Sequence, residues 1–377
     1  MVLLAVQFFF WISLVLVVYS YLIYPALLPI LSRIFGRSVK KDEFYLPVIA
    51  VVVPAYNEEK VIRKKIENIL SLDYPSDKCE IWIGSDGSTD STHKIVESFT
   101  DKRIHLWIAP KRGGKTEVLN HMVPGIKTDI VVFTDANTRH HKDCLKKLVR
   151  SFADPEVGGV AGLIKHLSNN LELEEKVYRS FEVNQKIHES ELHSSISAFG
   201  GFYSVRHSLF KPIPYNAYSN DDVLIPMNVI RRRSRMVFEA EAVSEEDMTE
   251  KIAHEFTRRI RIGAGNFQAF FWLPDFFNPF KGWPSFCFIS HKATRWFSPF
   301  FIIVAFICSG ILHASIMYAL FFLSCLAFII IGLLYPVLHF RLFRPAFYFL
   351  SMNTALVLGF LRFCTGIKSA AWSHTER

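Results

Sequence analysis

The sequence predicts an α/β domain with a doubly wound, mostly parallel sheet, enclosed between apolar segments near both ends of the chain. Between residues 45 and 262, short apolar runs rich in β-branched residues alternate with stretches of helical spacing. Such alternation is typical of a parallel sheet that is covered by helices on both faces. Two of the runs end in a carboxylate, Asp86 and Asp135. Because open parallel sheets bind ligands where their strands end, we expect both side chains in a binding crevice.

The predicted elements follow one another regularly up to about residue 158. The first strand, 48–53, is a short β-branched run that ends at Pro54, which is typical of a buried parallel strand. The next elements are helix 58–70, strand 81–83, helix 89–99, strand 104–108, helix 115–122, strand 130–133 and helix 142–152. Farther along, we expect a long amphipathic helix over 171–192 and a Gly-rich loop followed by a strand over 198–205.

The N-terminal segment predicts attachment to a membrane. Half of the 377 residues are hydrophobic, 35 are Phe and the net charge is +8, a composition that is unusual for a soluble protein. Residues 1–32 contain no Asp, Glu, Lys or Arg, and a membrane span needs roughly 20 apolar residues. They lack the basic start and the cleavage site of a signal peptide, so we expect an uncleaved transmembrane anchor. The basic residues from Arg33 to Lys41 predict that the following domain, 45–265, is cytoplasmic.

The C-terminal part predicts further membrane segments. Residues 266–295 are rich in Phe, Trp and Pro, and we expect amphipathic pieces at the membrane surface, with a buried helix pair as the alternative. Residues 296–340 fit a transmembrane hairpin that turns near His313. A further apolar run, 345–361, has basic residues on both sides, so it either crosses the membrane or lies in its interface. The six cysteines have neither metal nor disulfide spacing, and we interpret them as reduced, small apolar residues.

Three motifs near predicted strand ends also have plain structural interpretations. The turn from Pro54 to Glu58 is compatible with ordinary turn chemistry, and the segment 86–90 with a helix cap. The segment 111–116 resembles half of a P-loop, but that motif requires Gly at position 109, where the chain has Ala109. A nucleoside-triphosphatase is therefore disfavoured. A basic, Gly-rich turn at a helix start still suits the binding of phosphate groups.

Asp135 and Asn137 provide two oxygen ligands just beyond a predicted strand. Such ligands suit Mg²⁺ or Mn²⁺, which commonly bind substrate phosphates as well. The structural alternative is an Asx turn. His140 and His141 could extend a metal site, but adjacent side chains point in different directions, so we expect both histidines on the surface.

Two charged clusters in the second half of the domain are candidates for chemistry. Asp221 and Asp222 open an apolar-periodic segment and act either as a helix cap or, in a cleft, as the source of a general base. Arg258, Arg259 and Arg261 form a dense run of cations. This run is compatible with a positive-inside flank of a membrane segment and with bidentate binding of a diphosphate, and the two roles do not exclude each other.

In this order and spacing, the motifs of residues 45–275 resemble the membrane-bound glycosyltransferases of family 2, the group of the cellulose, hyaluronan and poly-N-acetylglucosamine synthases. The resemblance implies a GT-A fold and inversion at the anomeric carbon by a single displacement. It also implies a UDP-sugar donor, a divalent cation (Mg²⁺ or Mn²⁺) and a glycan or lipid-linked acceptor. The expected location is the cytoplasmic face of the inner (plasma) membrane, in a multi-pass protein.

The resemblance also assigns roles to individual positions. Asp222 matches the general base that deprotonates the acceptor hydroxyl, and Asp135 and Asn137 match the metal-binding Asp-X-Asp motif. Asp86 falls near the nucleoside and Lys115 beside the diphosphate. The implied donor-binding positions are Pro54, Ala55, Tyr56, Glu58, Asp86, Lys115, Asp135, Arg258, Arg259 and Arg261. The implied acceptor-binding positions are Gly200, Gly201, Phe202, Asp221 and Gln268.

The chain departs from the family pattern at three places. Asn137 replaces the second Asp, which makes it a weaker metal ligand, and Asp221 replaces a Glu. The Gln-X-X-Arg-Trp pattern falls on 258–262 and lacks both its Gln and its Trp. Because that Trp would stack on the acceptor sugar, two modes stay open: processive synthesis of a surface polysaccharide, and transfer of a single sugar to a lipid carrier or a lipid-linked glycan.

The remaining expectations concern partners. Membrane lipids are expected partners and nucleic acid is not. So few spans leave little room for a sugar-conducting channel, which would need a second copy of the chain or an export partner. The alternative from another functional class is a catalytically silent scaffold or export subunit, which predicts no release of UDP from any donor.

Overall fold

A computed structural model of the chain describes residues 1–166, 173–218, 220–246 and 252–367. These residues form two compact units. The sheet unit comprises residues 31–166, 178–218 and 220–246, together with residue 367. The helical unit comprises residues 1–30, 173–177 and 252–366.

The sheet unit is built on one eight-stranded sheet. Its strands are β1 (Ile49–Ala55), β2 (Cys79–Ser85), β3 (Ile104–Ile108), β4 (Ile130–Thr134), β5 (Thr138–His140), β6 (Val157–His166), β7 (Phe202–Arg206) and β8 (Arg235–Glu246). They lie in the order β3-β2-β1-β4-β7-β6-β8-β5. The pairs from β3 to β4 and the pair β6–β8 are parallel, whereas β7 is antiparallel to both neighbours and β5 is antiparallel to β8. The predicted mostly parallel α/β fold is therefore confirmed, with an antiparallel strand inserted after β4.

The α-helices of the described residues are numbered in chain order. They are α1 (Val2–Val18), α2 (Tyr24–Phe35), α3 (Ile62–Leu70), α4 (Thr92–Glu97), α5 (Lys115–Met122), α6 (Cys144–Val149), α7 (Leu173–Leu192), α8 (Asp221–Arg231), α9 (Ile252–Trp272), α10 (Trp283–Cys287), α11 (Thr294–Ile311), α12 (Ile316–Leu338) and α13 (Arg344–Cys364). Strand 104–108 and helix 115–122 have the predicted bounds. The helix predicted over 58–70 begins only at Ile62, because the residues before it form a turn.

The core of the sheet unit explains why its central strands are continuous apolar runs. Every residue of β1 is buried, as expected for a parallel strand that is covered on both faces. Helix α3 packs on the sheet through Ile62, Ile66 and Ile69, which recur at helical spacing. Lys65 lies on the same face of α3 and is also buried, which the apolar pattern did not predict.

Among the residues that the structure describes, four helices are long and apolar enough to cross a membrane, judged by length and composition. They are Val2–Phe35, Trp283–Ile311, Ile316–Leu338 and Arg341–Cys364. Helices α11 and α12 are joined by a short turn that contains His313, where the sequence predicts the turn of a transmembrane hairpin. The boundary predicted between residues 295 and 296 falls inside the continuous helix Trp283–Ile311, because Lys292 and Arg295 do not interrupt it.

Helix α13, whose course the sequence left open, packs tightly against α9. Gly263 and Ala264 of α9 face Ala355 and Gly359 of α13. A Cβ atom added to Gly359 would lie 2.8 Å from the backbone nitrogen of Ala264, so only glycine fits there. Such close approach through small residues is common between membrane helices.

Candidate functional site

The turns after β1, β2 and β4 meet at one edge of the sheet. Strands β1 and β2 are in register to their last residues, because Ala55 pairs with Ser85. The two turns are tied together, since the backbone N–H of Asp86 donates to the Ala55 carbonyl at 2.8 Å. Asn57, which has a positive φ of 54°, accepts a hydrogen bond from the backbone N–H of Thr89 at 2.8 Å. The carboxyl ends of these parallel strands thus lie side by side, at the edge where the sequence predicts a binding crevice.

Asp86 is fully buried at the end of β2. Its Oδ1 accepts hydrogen bonds from the backbone N–H groups of Gly113 and Gly114 at 2.7 and 3.0 Å, and its Oδ2 accepts from Gly114 at 2.9 Å. Burial raises the pKa of Asp86, and the two N–H groups oppose that rise. The structure therefore gives this carboxylate the task of fixing the Gly-rich turn, a contact that its assignment to the nucleoside did not foresee.

The Gly-rich turn and the β2 turn approach each other closely. Gly87 has φ of +63°, and a Cβ atom added there would lie 2.9 Å from the backbone nitrogen of Arg112. Gly114, the residue before α5, has φ of +93°. Both positions therefore need glycine. The Arg112 guanidinium lies over the Tyr56 ring at 3.7 Å from its centroid, so the two turns also form a cation–π pair.

Of the predicted nucleoside-binding residues, Pro54 and Ala55 are buried in β1, whereas Tyr56 and Glu58 are half-buried in the turn. The side chains of Tyr56 and Glu58 are therefore the accessible part of this predicted group.

Lys115, the first residue of α5, connects the predicted donor and acceptor sides. Its Nζ lies 2.9 Å from Asp135 Oδ1 and 3.1 Å from Asp221 Oδ2, and it donates to the Gly200 carbonyl at 3.2 Å. The nearby carboxylates raise the pKa of Lys115 above its ordinary value, against the effect of burial. One ammonium group thus brings together residues from three distant segments that the sequence had singled out separately.

The neighbouring acids Asp221 and Asp222 have different environments at the start of α8. Asp221 is buried, and its Oδ2 accepts a hydrogen bond from the Tyr203 hydroxyl at 2.9 Å in addition to its pairing with Lys115. Burial and the nearby carboxylate raise the pKa of Tyr203 well above its usual range, so this hydroxyl keeps its proton. Asp222 is partly exposed. The pair therefore divides into a structural carboxylate and an accessible one.

The Gly200–Gly201 turn lies against both sides of the site. A Cβ atom on Gly200 would lie 3.5 Å from Asp222 Oδ2, and one on Gly201 would lie 3.4 Å from Asp135 Oδ2. Phe202, which was assigned to the acceptor together with these glycines, is fully buried in β7 and packs on the His140 ring at a centroid distance of 4.6 Å. The structure thus gives the Phe202 side chain a packing role.

Asp135 and Asn137, the predicted metal ligands, follow the end of β4, and their carboxylate and amide oxygens are of the kind that hard divalent cations bind. Asn137 is half-buried, and its Nδ2 donates to Glu246 Oε1 at 2.8 Å, which brings a carboxylate from the end of β8 to this turn. Sequence reasoning missed Glu246, because nothing in the local pattern marks it. No cluster of three His, Cys, Asp or Glu suited to a metal occurs in the described parts of the chain. Asp135, Asn137 and Glu246 could hold Mg²⁺ or Mn²⁺ together with substrate phosphates, as sites of this kind commonly do.

The prediction that His140 lies on the surface is wrong. His140 is buried, with its Nε2 at 3.0 Å from Lys65 Nζ and its Nδ1 at 2.6 Å from Ser244 Oγ. Its neighbour His141 is partly exposed and pairs with Glu245 at 2.9 Å. His140 is the last residue of β5, in which Thr138 and His140 are buried and Arg139 is exposed, as the alternation of side chains along a strand requires.

Arg258, Arg259, Arg261 and Gln268 belong to the helical unit and share helix α9. Arg258 is exposed, Arg259 and Arg261 are half-buried, and Gln268 is buried. Their predicted roles in binding the diphosphate and the acceptor stay predictions.

Residues 50–213 match the model described as Glycosyl transferase family 2. The chain carries a family 2 glycosyltransferase domain. A beta-monoglucosyldiacylglycerol synthase of Synechocystis sp. is 37% identical over 118 residues, which are 30% of this chain and 25% of that protein. A poly-beta-1,6-N-acetyl-D-glucosamine synthase of Staphylococcus epidermidis is 29% identical over 132 residues, which are 34% of this chain and 32% of that protein. The chain thus matches only a quarter to a third of the length of these relatives.

A solved structure shares the fold of the glycosyltransferase domain and its helices. The mannosyltransferase of Pyrobaculum calidifontis, solved in complex with GDP-Man and Mn²⁺, superposes with a TM-score of 0.73 at 22% identity. The superposition covers 94% of this chain and 99% of that protein. The GT-A-like fold expected from the sequence is confirmed.

Proposed function

We propose that the chain is an inverting glycosyltransferase that moves a sugar from a UDP-sugar to an acceptor hydroxyl at the cytoplasmic face of the membrane. The contacts of Lys115 carry this proposal. A single ammonium joins the Asp135 turn, which suits donor phosphates, to the start of α8, which bears the candidate base. Donor and acceptor chemistry would then share one site, as a direct displacement requires.

Asp222 is the proposed general base. It is partly exposed, lies beside the Gly200–Gly201 turn, and follows an acid that is already held by Tyr203 and Lys115. In the reaction, the acceptor hydroxyl transfers its proton to Asp222 while its oxygen attacks the anomeric carbon. The bond from that carbon to the diphosphate breaks, and UDP leaves with the electron pair. The attack comes from the face opposite the leaving group, so the configuration inverts.

A divalent cation held at Asp135, with Asn137 and Glu246, would neutralise charge on the leaving diphosphate. Lys115 keeps Asp135 in position and adds a positive charge on the same side of the turn. The arginines of α9 are proposed to contact the diphosphate as well, through bidentate hydrogen bonds.

Transfer of a single sugar to a lipid-linked acceptor is the second candidate. The segment 258–262 lacks the Gln and Trp that the resemblance associates with processive synthesis. One relative bears the name of a glucosyldiacylglycerol synthase and another that of a polysaccharide synthase, so the relatives support both modes. The length of radiolabelled product separates them. A ladder of products indicates processive synthesis, and one product that is extractable into organic solvent indicates single addition.

A donor screen tests the proposal itself. The full chain, solubilised in detergent with added membrane lipids, is incubated with a panel of UDP-sugars and GDP-sugars, with Mn²⁺, with Mg²⁺ or with a chelator. We expect metal-dependent release of UDP from at least one donor. Release of GDP alone would reassign the donor. No release from any donor would favour the silent scaffold.

The proposed topology places the sheet unit in the cytoplasm between membrane spans. The turn between α11 and α12 contains no Lys or Arg, whereas Arg341 and Arg344 follow α12. By the positive-inside rule, the turn between α11 and α12 faces outward, and the segment after α12 faces the cytoplasm. This topology is tested by labelling single cysteines, introduced at positions 43 and 314 in a variant whose six native cysteines are replaced by alanine, with a membrane-impermeant reagent. In intact cells, only the cysteine at 314 should react.

A further inference from the structure

Lys65 is a buried cation for which the proposed reaction has no direct use. It extends from the face of α3 that packs on the sheet and is 2% exposed. Its Nζ lies 2.7 Å from Thr134 Oγ1, 2.8 Å from Thr138 Oγ1, 2.9 Å from the Thr138 carbonyl and 3.0 Å from His140 Nε2. All four partners are uncharged acceptors.

The hydrogen bonds around Lys65 make His140 Nε2 an acceptor. The ammonium has three N–H groups for four nearby acceptors, and the hydroxyl oxygens of Thr134 and Thr138 lie 2.7 Å apart. His140 Nε2 therefore accepts either from Lys65, at 3.0 Å, or from the Thr134 hydroxyl, at 3.1 Å. His140 is therefore neutral, with its proton on Nδ1, which donates to Ser244 Oγ. Burial and Lys65 both lower the pKa of His140, in agreement with this assignment.

This network binds the backbone of the Asp135 turn on its buried side. The Thr138 hydroxyl, which accepts from Lys65, donates to the backbone carbonyl of Asp135 at 2.9 Å. Thr134 and Thr138 flank the turn on both sides, and Lys65 binds the hydroxyl of each.

A second branch of the network reaches β8. His140 bonds to Ser244, two residues before Glu246, and Glu246 in turn accepts from Asn137. Asn68, one turn after Lys65 on α3, also donates to the His140 carbonyl and accepts from its backbone N–H, at 3.0 and 2.8 Å. Helix α3 is thus connected to all three side chains that could hold a cation: Asp135, Asn137 and Glu246.

The position of Lys65 has a stability cost that packing alone would not require. Its neighbours on the buried face of α3 are isoleucines, and an apolar residue there would avoid the desolvation of an ammonium group. That desolvation lowers the pKa of Lys65 to about 7. Buried polar networks of this kind fix one arrangement of the groups that they bind. In metal sites, such outer partners orient the ligands.

We propose that Lys65, together with His140, is a positioning group that sets Asp135, Asn137 and Glu246 for binding the metal-bound diphosphate of the donor. The proposal rests on the proposed function, because it presupposes a nucleotide diphosphate and a divalent cation at this turn. Lys65 itself touches neither.

The test measures binding of UDP to the full chain in detergent, by titration calorimetry, with saturating Mn²⁺ and with a chelator. In the wild-type protein we expect Mn²⁺ to increase the affinity for UDP. Lys65→Met keeps the length of the side chain but removes the ammonium. We expect it to lower the Mn²⁺-dependent affinity by about 10- to 100-fold, the range typical of lost second-shell partners. The metal-free affinity should stay within about twofold, because Lys65 does not contact the nucleotide site.

Arg235→Met is the matched control for the general effect of removing a buried cation. Arg235 is also buried, and it donates to the backbone carbonyls of His193, Ser38, Arg37 and Ser190. This variant should melt at a lower temperature than the wild type but keep the Mn²⁺-dependent affinity for UDP. An equal loss of that affinity in both variants would overturn the positioning role, since it would reflect loss of stability alone.

Thr138→Val keeps the proposal testable if Lys65→Met does not fold. It removes the hydroxyl that joins Lys65 to the Asp135 carbonyl and leaves the side-chain volume unchanged. We expect a loss of about 3- to 10-fold in Mn²⁺-dependent affinity, smaller than for Lys65→Met. Unchanged affinity in Lys65→Met, or in Thr138→Val where Lys65→Met does not fold, would overturn the inference.

The wild-type measurement separates the two proposals. If the wild type binds neither UDP nor GDP with Mn²⁺, the proposed function fails, and this inference fails with it. If the wild type binds and the variants bind equally well, only the positioning role fails.

Discussion

The two sides of the Asp135 turn are organised by lysines in opposite electrostatic environments. On the accessible side, Lys115 lies between the carboxylates of Asp135 and Asp221, which raise its pKa. On the inner side, Lys65 is surrounded by two threonines and a neutral histidine, and burial lowers its pKa to about 7. The same residue type therefore serves two purposes. Lys115 balances charge between acids, whereas Lys65 supplies hydrogen-bond donors that fix a turn.

The difference indicates which contacts are expected to affect catalysis and which are expected to affect geometry. Removing the charge of Lys115 leaves two acids close together without their shared cation. Removing Lys65 leaves neutral hydroxyl groups, which can rearrange. We therefore expect large changes in rate on the accessible side of the turn and changes in affinity or stability on the inner side.

The largest effect is expected at Asp222, the accessible acid next to the one that Lys115 holds. Asp222→Asn should lower kcat by about 10²- to 10⁴-fold, the usual contribution of a general base, with little change in the melting temperature. Asp221→Asn is the matched control and should lower the melting temperature more and kcat less, because Asp221 is buried against Tyr203 and Lys115. Near-normal transfer by a folded Asp222→Asn variant would remove Asp222 as the base.

Lys115→Met is expected to have the second largest effect. Without the ammonium, Asp135 and Asp221 repel each other, and we expect a loss of activity of about 10²-fold and of about 2 kcal/mol in unfolding free energy. This loss of unfolding free energy is smaller than that for a fully buried ion pair, because Asp135 is partly exposed. The double variant Lys115→Met/Asp221→Asn should regain part of the stability but not the activity. Full recovery of activity would show that Lys115 has no role beyond charge balance.

A pH series tests the inner lysine. Because folding lowers the pKa of Lys65 from 10.5 to about 7, the unfolded chain binds a proton between these values and the folded chain does not. This group therefore makes the unfolding free energy rise as the pH increases from about 7 to 10.5, and it adds no slope below about 7. The melting temperature of the wild type, compared with that of Lys65→Met, should rise over this interval. A constant difference between the two would mean that Lys65 titrates normally.

The smallest effect is expected for Tyr203→Phe. This change removes only the hydroxyl that donates to Asp221, while Lys115 still pairs with that acid. We expect a loss of about 1 kcal/mol in unfolding free energy, the typical contribution of one hydrogen bond, and a change of less than about threefold in kcat. Thermal melting and the rate of UDP release measure the two quantities. A larger loss of rate would give Tyr203 a direct part in setting the base.

The sequence predicted the central strands, and it singled out Lys115, Asp135 and Asp221 separately, which the structure places in contact. Strand ends and Gly-rich turns have strong local signals, because continuous apolar runs and required glycines are visible in the chain itself. The doubly wound α/β fold followed from the alternation of strands and helices, whereas the GT-A assignment came from the resemblance to family 2. Strands β5, β6 and β8 were not predicted, and neither was the insertion of β7 between β4 and β6, since pairing between distant strands leaves no local mark.

The inner side of the site was missed for a physical reason. Lys65 stands three residues after Ile62 and four before Ile69, so helical spacing alone places it on the buried face of α3. Helical spacing favours a buried position for Lys65, but a charged residue is normally expected on the surface. His140 was assigned to the surface because its partners, Lys65 and Ser244, are 75 and 104 residues away along the chain. Contacts of that range become visible only in the folded structure.

The buried carboxylate of Asp86 has a consequence for how this site could change during evolution. Its oxygens bind the backbone N–H groups of Gly113 and Gly114, so substitutions of other side chains on this turn leave these bonds in place. Under the proposed function, the Tyr56 ring and the Arg112 guanidinium lie together at the rim of the donor crevice. A lineage could exchange one nucleotide donor for another by substitutions at the rim, while the parts that transfer the sugar remain under separate selection.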